Sequence, residues 1–293
     1  MNQIRNFLIF IILISISGLF IIGMMRASWL RSQPPNMTQE LAPGITYHRV
    51  VCTLPRLIVL HIVEIILNNH KLQFLVTPSQ PTIHGEIGAK LTSRFLAEYH
   101  QTVAINGSYF YPFREYWLPY PAEGESVYVL GHAVSHYQTY SQPQLDFPAL
   151  YLTDDNQFSD TPSVPITHAI AGREWLLKHG QIALTPEMLA ADKSYPRTAI
   201  AFDPIQQRLW LVVVDGKQPN YSDGIYLHEL ATYLQQLGAK TALCLDGGGS
   251  STLVANIHGQ ARILNSPIHQ GWIGHERPVA NHFGIASMPI GKI

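Results

Sequence analysis

A chain of 293 residues with a formal net charge of -1 and only 13% charged side chains has room for one large domain or two small ones. That charge balance leaves no basic patch for nucleic acid and no acidic tail. With 21 glycines and 20 prolines the body reads as turn-rich and strand-rich, not as a helical bundle.

From Phe7 to Met25 the chain is apolar, interrupted only by Ser15, Ser17 and Gly18. About 19 residues at ~1.5 Å each match the hydrocarbon thickness of a bilayer. Met24-Met25-Arg26 follows, without the small residues of a cleavage site or a nearby lipidation cysteine. Residues 1–25 therefore read as an uncleaved signal anchor, the alternative being secretion after cleavage. Arg5 on one side, and Arg26 and Arg31 on the other, leave the orientation undecided. Residues 26–43, with Pro34-Pro35, read as a linker, and residues 44–293 as one folded domain.

Val59 to Leu67 is rich in β-branched residues and predicts a strand, Asn68-Asn69 a turn, and Leu72 to Val76 the returning strand of a hairpin. Thr92 to His100 has helical spacing, and Thr102 to Ile105 is a short buried strand ending at Asn106-Gly107. Tyr109 to Tyr151 is too aromatic for disorder and predicts short strands and ordered loops. Arg208 to Val214 predicts a strand that stops at Asp215-Gly216. Leu227, Leu230, Ala231, Leu234 and Leu237 then trace one face of a helix closed by Gly238. Thr241 to Leu245 is the next strand. The expected fold class is α+β, a mixed β-sheet system with packed helices, containing a βαβ-like unit.

The chemistry gathers at strand ends. Asp246 opens the run Gly247-Gly248-Gly249-Ser250-Ser251-Thr252, and glycines in series suit a backbone that must approach a ligand closely. No Walker loop is present. Asp215 also follows an apolar strand. If the two strands are parallel neighbours, both carboxylates emerge at one sheet edge, where α/β proteins bind ligands. Glu229 lies in the first helical turn. It either complements the helix dipole or faces the cleft, and Tyr226 at the cap position breaks the capping-box pattern. Arg197 and Arg277 are candidate phosphate partners because a guanidinium binds oxyanions bidentately. Asn106 is either a sugar ligand or a turn residue before Gly107. Tyr109, Phe110, Tyr111, Tyr116 and Trp117 either stack on a sugar or fill the core. His132 and His136 are four apart without a third ligand, so neither a metal nor a cofactor is expected. Cys52 and Cys244 show no zinc spacing, and whether they pair is left open.

Seven segments in order resemble the phosphodiester glycosidase family. They are Ala104 to Phe110, Ala169 to Gly172 with the later Gly180, Pro196 to Ala199, Val214 to Lys217, Leu227 to Ala231, Leu245 to Thr252, and Glu276 to Asn281. The sequence departs at Ser108, where glycine is more usual, at Lys217, where arginine is, and at Tyr226 and His228 at the helix start. The resemblance implies hydrolysis of a glycosyl phosphodiester at the sugar–oxygen bond. It implies that Arg197, Arg277 and the Gly247–Ser250 backbone hold phosphate, within a substrate-binding set that includes Asn106, Gly107, Ser251, Thr252 and Asn281. One of Asp215, Glu229 or Asp246 would act as base or as the charge opposite the developing cation. Phosphate is a good leaving group, so a strong general acid matters less than in other glycosidases. An enzyme acting on envelope polymers, exopolysaccharide or other exported glycans needs its domain outside the cytoplasm. A non-catalytic glycan-binding or polysaccharide-assembly protein is the competing expectation; a phosphatase or nucleotide binder lacks its metal site or P-loop.

Overall fold

The computed structural model describes residues 6, 9–18, 31–67, 72–80, 86–112, 120–162 and 164–287. Among them every strand ladder is antiparallel. An eight-stranded sheet runs in the order Met37–Ala42, Ile45–Cys52, Ile58–Ile66, Arg208–Val214, Arg197–Asp203, Thr241–Cys244, Glu174–Lys178, Gln181–Ile182. A five-stranded sheet runs Gln260–Ile263, Leu253–Ile257, Val103–Asn106, His282–Ser287, Leu72–Val76. The class is α+β and sheet-rich.

The strand Arg208–Val214 explains the layering. Leu209, Leu211 and Val213 point into a core shared with Val103, Ile105, Phe283 and Ile285 of the second sheet. Trp210, Val212 and Val214 point the other way, onto Leu227, Leu230, Ala231 and Leu234 of the helix Leu227–Gln236. A strand buried on both faces has to be apolar at every position, which is why this run lacks alternation. The helix Thr92–Glu98 closes the far side of the second sheet through Phe95 and Leu96, against Leu75, Ala104 and Val254.

Three expectations are corrected. The strand Leu72–Val76 forms as expected but does not return along its predecessor; it pairs with His282–Ser287 at the edge of the second sheet. The strand Ile58–Ile66 is flanked instead by Ile45–Cys52 and Arg208–Val214, which cover both its edges. The stretch expected as linker includes the edge strand Met37–Ala42, whose polar Thr38, Gln39 and Glu40 give no apolar alternation and which is held by backbone pairing to Ile45–Arg49. The unit around the helix Leu227–Gln236 is not a pair of parallel neighbours. Arg197–Asp203 lies between the two strands, antiparallel to each.

Residues 9–18 are helical, with Ile9, Phe10, Ile11, Ile12, Leu13, Ile14 and Ile16 all exposed. Among the described residues no helix is long and apolar enough to cross a membrane. The rest of the expected anchor, the turn at 68–71, and Tyr116 and Trp117 lie outside the described residues.

Candidate active site

The inserted antiparallel strand is what assembles the site. Arg208–Val214 and Thr241–Cys244 run in the same direction and end at one edge, where Arg197–Asp203 begins. Arg197 therefore stands beside Val214 in register, and Leu245 N–H bonds Thr198 O at 2.8 Å. One sheet end thus carries Asp215, Arg197 and Asp246 together, the outcome expected of parallel neighbours but reached by another route.

A cleft of about 490 Å³ opens there, walled by Lys193, Arg197, Lys217, Arg277 and the Gly247–Gly249 turn, with Tyr109, Tyr120 and Tyr195 as its aromatic surfaces. Among the described residues its lining holds four cationic side chains and a single carboxylate, Asp246. Such a cleft attracts an anion. Asp246 is 8% exposed. Its Oδ1 accepts the Gly247 N–H at 2.9 Å, while Oδ2 is buried without a hydrogen-bond partner. Burial pushes its carboxyl up to about 6, against the opposing pull of Ser250, Arg277 and the Gly247 N–H.

Arg277 is fixed from three sides. Nη1 donates to Ser250 Oγ at 3.1 Å, Nε to His269 Nδ1 at 3.4 Å, and the guanidinium lies 3.9 Å from the Tyr120 ring centre. A Cβ on Gly249 would overlap the Arg277 guanidinium, so the glycine is what lets the arginine sit against the turn. Arg197 is held by Asp192 Oδ1 at 3.1 Å and Lys193 O at 3.0 Å, and its Nε is buried without a partner. Lys217, in the left-handed region at φ 55°, lays its ammonium 3.9 Å from the Tyr195 ring.

The other expected site residues do not line the cleft. Asp215 is fully enclosed and does not line the cleft. Its Oδ1 accepts Ser266 N–H at 2.8 Å and Asn265 Nδ2 at 3.1 Å; its Oδ2 accepts His61 Nε2 at 2.9 Å and Tyr221 Oη at 3.2 Å. Burial alone would raise its pKa, but His61, Ser266 and Asn265 more than offset this and hold it below the usual carboxylate range. Glu229 also lies outside the cleft. Its carboxylate pairs with Arg56 and accepts Tyr226 N–H at 3.1 Å, so half of a capping box forms despite the tyrosine at the cap. Asn106, expected to reach sugar hydroxyls, is wholly buried. It donates to Asp246 O at 2.7 Å and accepts from Thr198 Oγ1 at 2.8 Å and Thr252 N–H at 3.1 Å. Asn281 accepts Ser108 N–H at 2.7 Å, and Gly107 leaves the space Asn281 occupies. Ser250, Ser251 and Thr252 are buried behind the turn.

Most N–H groups of the glycine turn expected as a backbone cradle are bonded within the fold. Gly247 N–H is bonded to Asp246, Gly248 N–H to Pro196 O at 2.9 Å, Ser250 N–H to Gly247 O at 3.2 Å and Ser251 N–H to Gly248 O at 3.3 Å. Four side-chain cations, Lys193, Arg197, Lys217 and Arg277, line the cleft beside this turn. Lys193, Tyr195 and Tyr120 were missed by sequence reasoning; the first two lie within four residues of Arg197, a spacing that pointed to nothing before the turn was folded. Both cysteines are free, with burial pushing the Cys244 thiol up to about 12. No group of three or more potential metal ligands occurs among the described residues.

Fold and site define an antiparallel-sheet scaffold with a cationic cleft around one buried carboxylate. The phosphodiester glycosidase family model matches residues 99–286, and the chain belongs to that family of hydrolases. No curated protein matches the chain. The catalytic domain of zebrafish N-acetylglucosamine-1-phosphodiester alpha-N-acetylglucosaminidase, auto-inhibited by pro-peptide, is 21% identical over 89% of this chain and 86% of its own, with a TM-score of 0.60. A hypothetical protein from Synechocystis is 17% identical over 86% of this chain, with a TM-score of 0.62. The chain spans 64% of that protein's length. At such identities the likeness is one of fold.

Proposed function

We propose that the chain hydrolyses a glycosyl phosphodiester at the sugar–oxygen bond. The observation that carries this reading is the unpartnered Asp246 Oδ2 in a cleft whose other charges, among the described residues, are all cations. Arg277, Arg197, Lys193 and Lys217 hold the phosphodiester and neutralise the charge that accumulates as it leaves. The bond from the anomeric carbon to the phosphate oxygen breaks with both electrons going to phosphate. A water attacks the carbon as Asp246 takes its proton, giving a free sugar and a phosphomonoester. A carboxyl near 6 is largely ionised at neutral pH and still basic enough to accept that proton. Tyr109 and Tyr195 offer aromatic faces to the sugar.

The substrate belongs to envelope or exported glycans. Residues 1–25 anchor the chain with a cytoplasmic N-terminus and an extracytoplasmic domain. The all-round exposure of apolar side chains on the helix over 9–18 supports the anchor, as does the bonding of Ser15 Oγ back to Ile11 O at 2.9 Å, which hides a hydroxyl from lipid. A reporter fused after Ile293 is expected to be active outside the cytoplasm, and activity confined to the cytoplasm would overturn the topology. The chemistry is tested on a panel of sugar-1-phosphodiesters, read for free sugar against free phosphate. Sugar release supports the glycosidase. Phosphate release would mean a phosphatase, and binding without either product a glycan-binding protein.

A further inference from the structure

The segment leading out of the expected anchor is fastened to the domain beside the cleft. Gln33 Nε2 donates to Cys52 O at 3.1 Å and Ile58 O at 3.4 Å, Asn36 Oδ1 accepts Val51 N–H at 2.8 Å, and Arg49 Nε donates to Pro35 O at 2.9 Å. Arg31 reaches further. Its guanidinium bonds Gln218 and Ser266 and lies 3.6 Å from the centre of the Tyr221 ring. Gln218 follows Lys217 of the cleft wall, and Ser266 N–H holds Asp215 at the sheet end. The tether therefore leaves the domain at the end of the sheet where the cleft opens. Six peptide steps separate residue 25 from Arg31, and at ~3.6 Å per step they span at most roughly 22 Å.

Two exposed apolar side chains sit at the same end. Leu54, 84% exposed, tops the loop between Ile45–Cys52 and Ile58–Ile66. That loop is joined to the cleft wall because Leu57 O accepts Asp223 N–H at 2.8 Å and Asp223 O accepts Lys217 N–H at 3.4 Å. Trp272, 47% exposed, tops the hairpin of Ile268–His269 and Trp272–Ile273, whose His269 contacts both Arg277 and the Tyr120 ring. A tryptophan and a leucine flanking a cationic cleft, on a short tether, match a surface that rests on anionic headgroups.

We infer that the cleft opens against the membrane and takes a glycosyl phosphodiester whose aglycone is a membrane lipid. This deepens the proposed hydrolysis and rests on it. A substrate fixed in the same bilayer as the enzyme meets the cleft at a raised effective concentration, whereas a soluble diester gains nothing from the tether.

The test uses the full chain reconstituted into vesicles of phosphatidylcholine and phosphatidylglycerol. The probes are diacylglycerol sugar-1-phosphodiesters in those vesicles and methyl sugar-1-phosphodiesters in solution, each with N-acetylglucosamine, glucose and galactose. The lipid diester is expected to turn over about tenfold faster at equal bulk concentration. The paired substitution Leu54→Ser and Trp272→Ser should cut the lipid rate about fivefold or more while leaving the soluble rate unchanged, because neither side chain touches the cleft charges. Equal rates on both substrates, an unaffected lipid rate in the paired variant, or failure of the full chain to float with vesicles would overturn the membrane inference alone, provided the soluble diester is cleaved. Cleavage of neither diester by the intact chain would remove the glycosidase reading and this inference with it.

Discussion

Asp246 combines two properties that oppose each other. Its carboxyl, pushed up to about 6 by burial, sits well above the ~3.9 of an unfolded aspartate. Between those values the native state holds a proton that the unfolded chain has released, so stability falls as pH rises from about 4 to about 6 and stays reduced above. Two units correspond to about 3 kcal/mol as an order of magnitude. Asp246→Asn keeps an oxygen for the Gly247 N–H and removes the charge. At pH 7 it should raise the urea midpoint while cutting sugar release by roughly 10²–10⁴-fold. Near-normal turnover in that variant would end the catalytic role. In the wild type, turnover should fall as pH drops through about 6, where the base takes up its proton. Gly249→Ala tests the anion site separately. The added methyl displaces Arg277 from its place beside the turn. Loss of one charge-assisted bond predicts a KM raised about tenfold with the fold intact. An unchanged KM would mean that Arg277 does not hold the substrate.

At the scale of elements, the helices Thr92–Glu98 and Leu227–Gln236 begin on residues that make poor caps, Leu91 and Tyr226. Their first-turn N–H groups are satisfied from far away. Glu276 Oε2 accepts Ser93 N–H at 2.9 Å, and Asp192 Oδ2 accepts Leu227 N–H at 2.6 Å. Both remote caps neighbour the anion site, Glu276 by preceding Arg277 and Asp192 by pairing with Arg197. Helix position and arginine position are thereby coupled. Asp192→Ala should lower stability by ~1–2 kcal/mol through the lost cap and raise KM as Arg197 comes loose. A stability loss with unaltered KM would separate the two. Such partnerships were illegible in sequence because they join residues 35 and 183 positions apart. What could be read was local: two-sided apolar runs gave the strands at Ile58–Ile66 and Arg208–Val214, and the period of Leu227 to Leu237 gave the helix. The order of strands could not be read, since an apolar strand does not record which neighbour covers its edges. Asp215 and Asp246 looked alike before the fold placed one under Asn265, Ser266, His61 and Tyr221 and left the other with a bare oxygen.

Across the whole molecule, buried histidines set the acid limit. His282 is fully enclosed, stacked at 4.7 Å on Phe95 and bonded to Thr77 and the Lys90 carbonyl; burial drives it down to about 3. His168, buried beside His136, is driven to about 4 by burial and by that neighbour. The folded values lie below the ~6.5 of a free imidazole, so below pH 6.5 the unfolded chain binds protons that the native state refuses. Stability is therefore present above about 6.5 and is lost as pH falls. His132 and His269, also lowered by burial, act in the same sense, whereas Asp246, Glu86, Glu174 and Glu276, raised by burial, oppose it. With four histidines held neutral by burial, unfolding below pH 6.5 should take up protons and stability should fall as pH falls. Urea midpoints at pH 7, 6 and 5 measure that fall directly. Asp246→Asn should make it steeper, because the variant loses the one aspartate that gains stability on acidification. Its advantage at pH 7 should disappear by pH 4. A flat wild-type profile would show that the buried histidines do not set the acid limit. Parallel profiles for wild type and variant would show that the Asp246 carboxyl is not raised, and would weaken its assignment as the base.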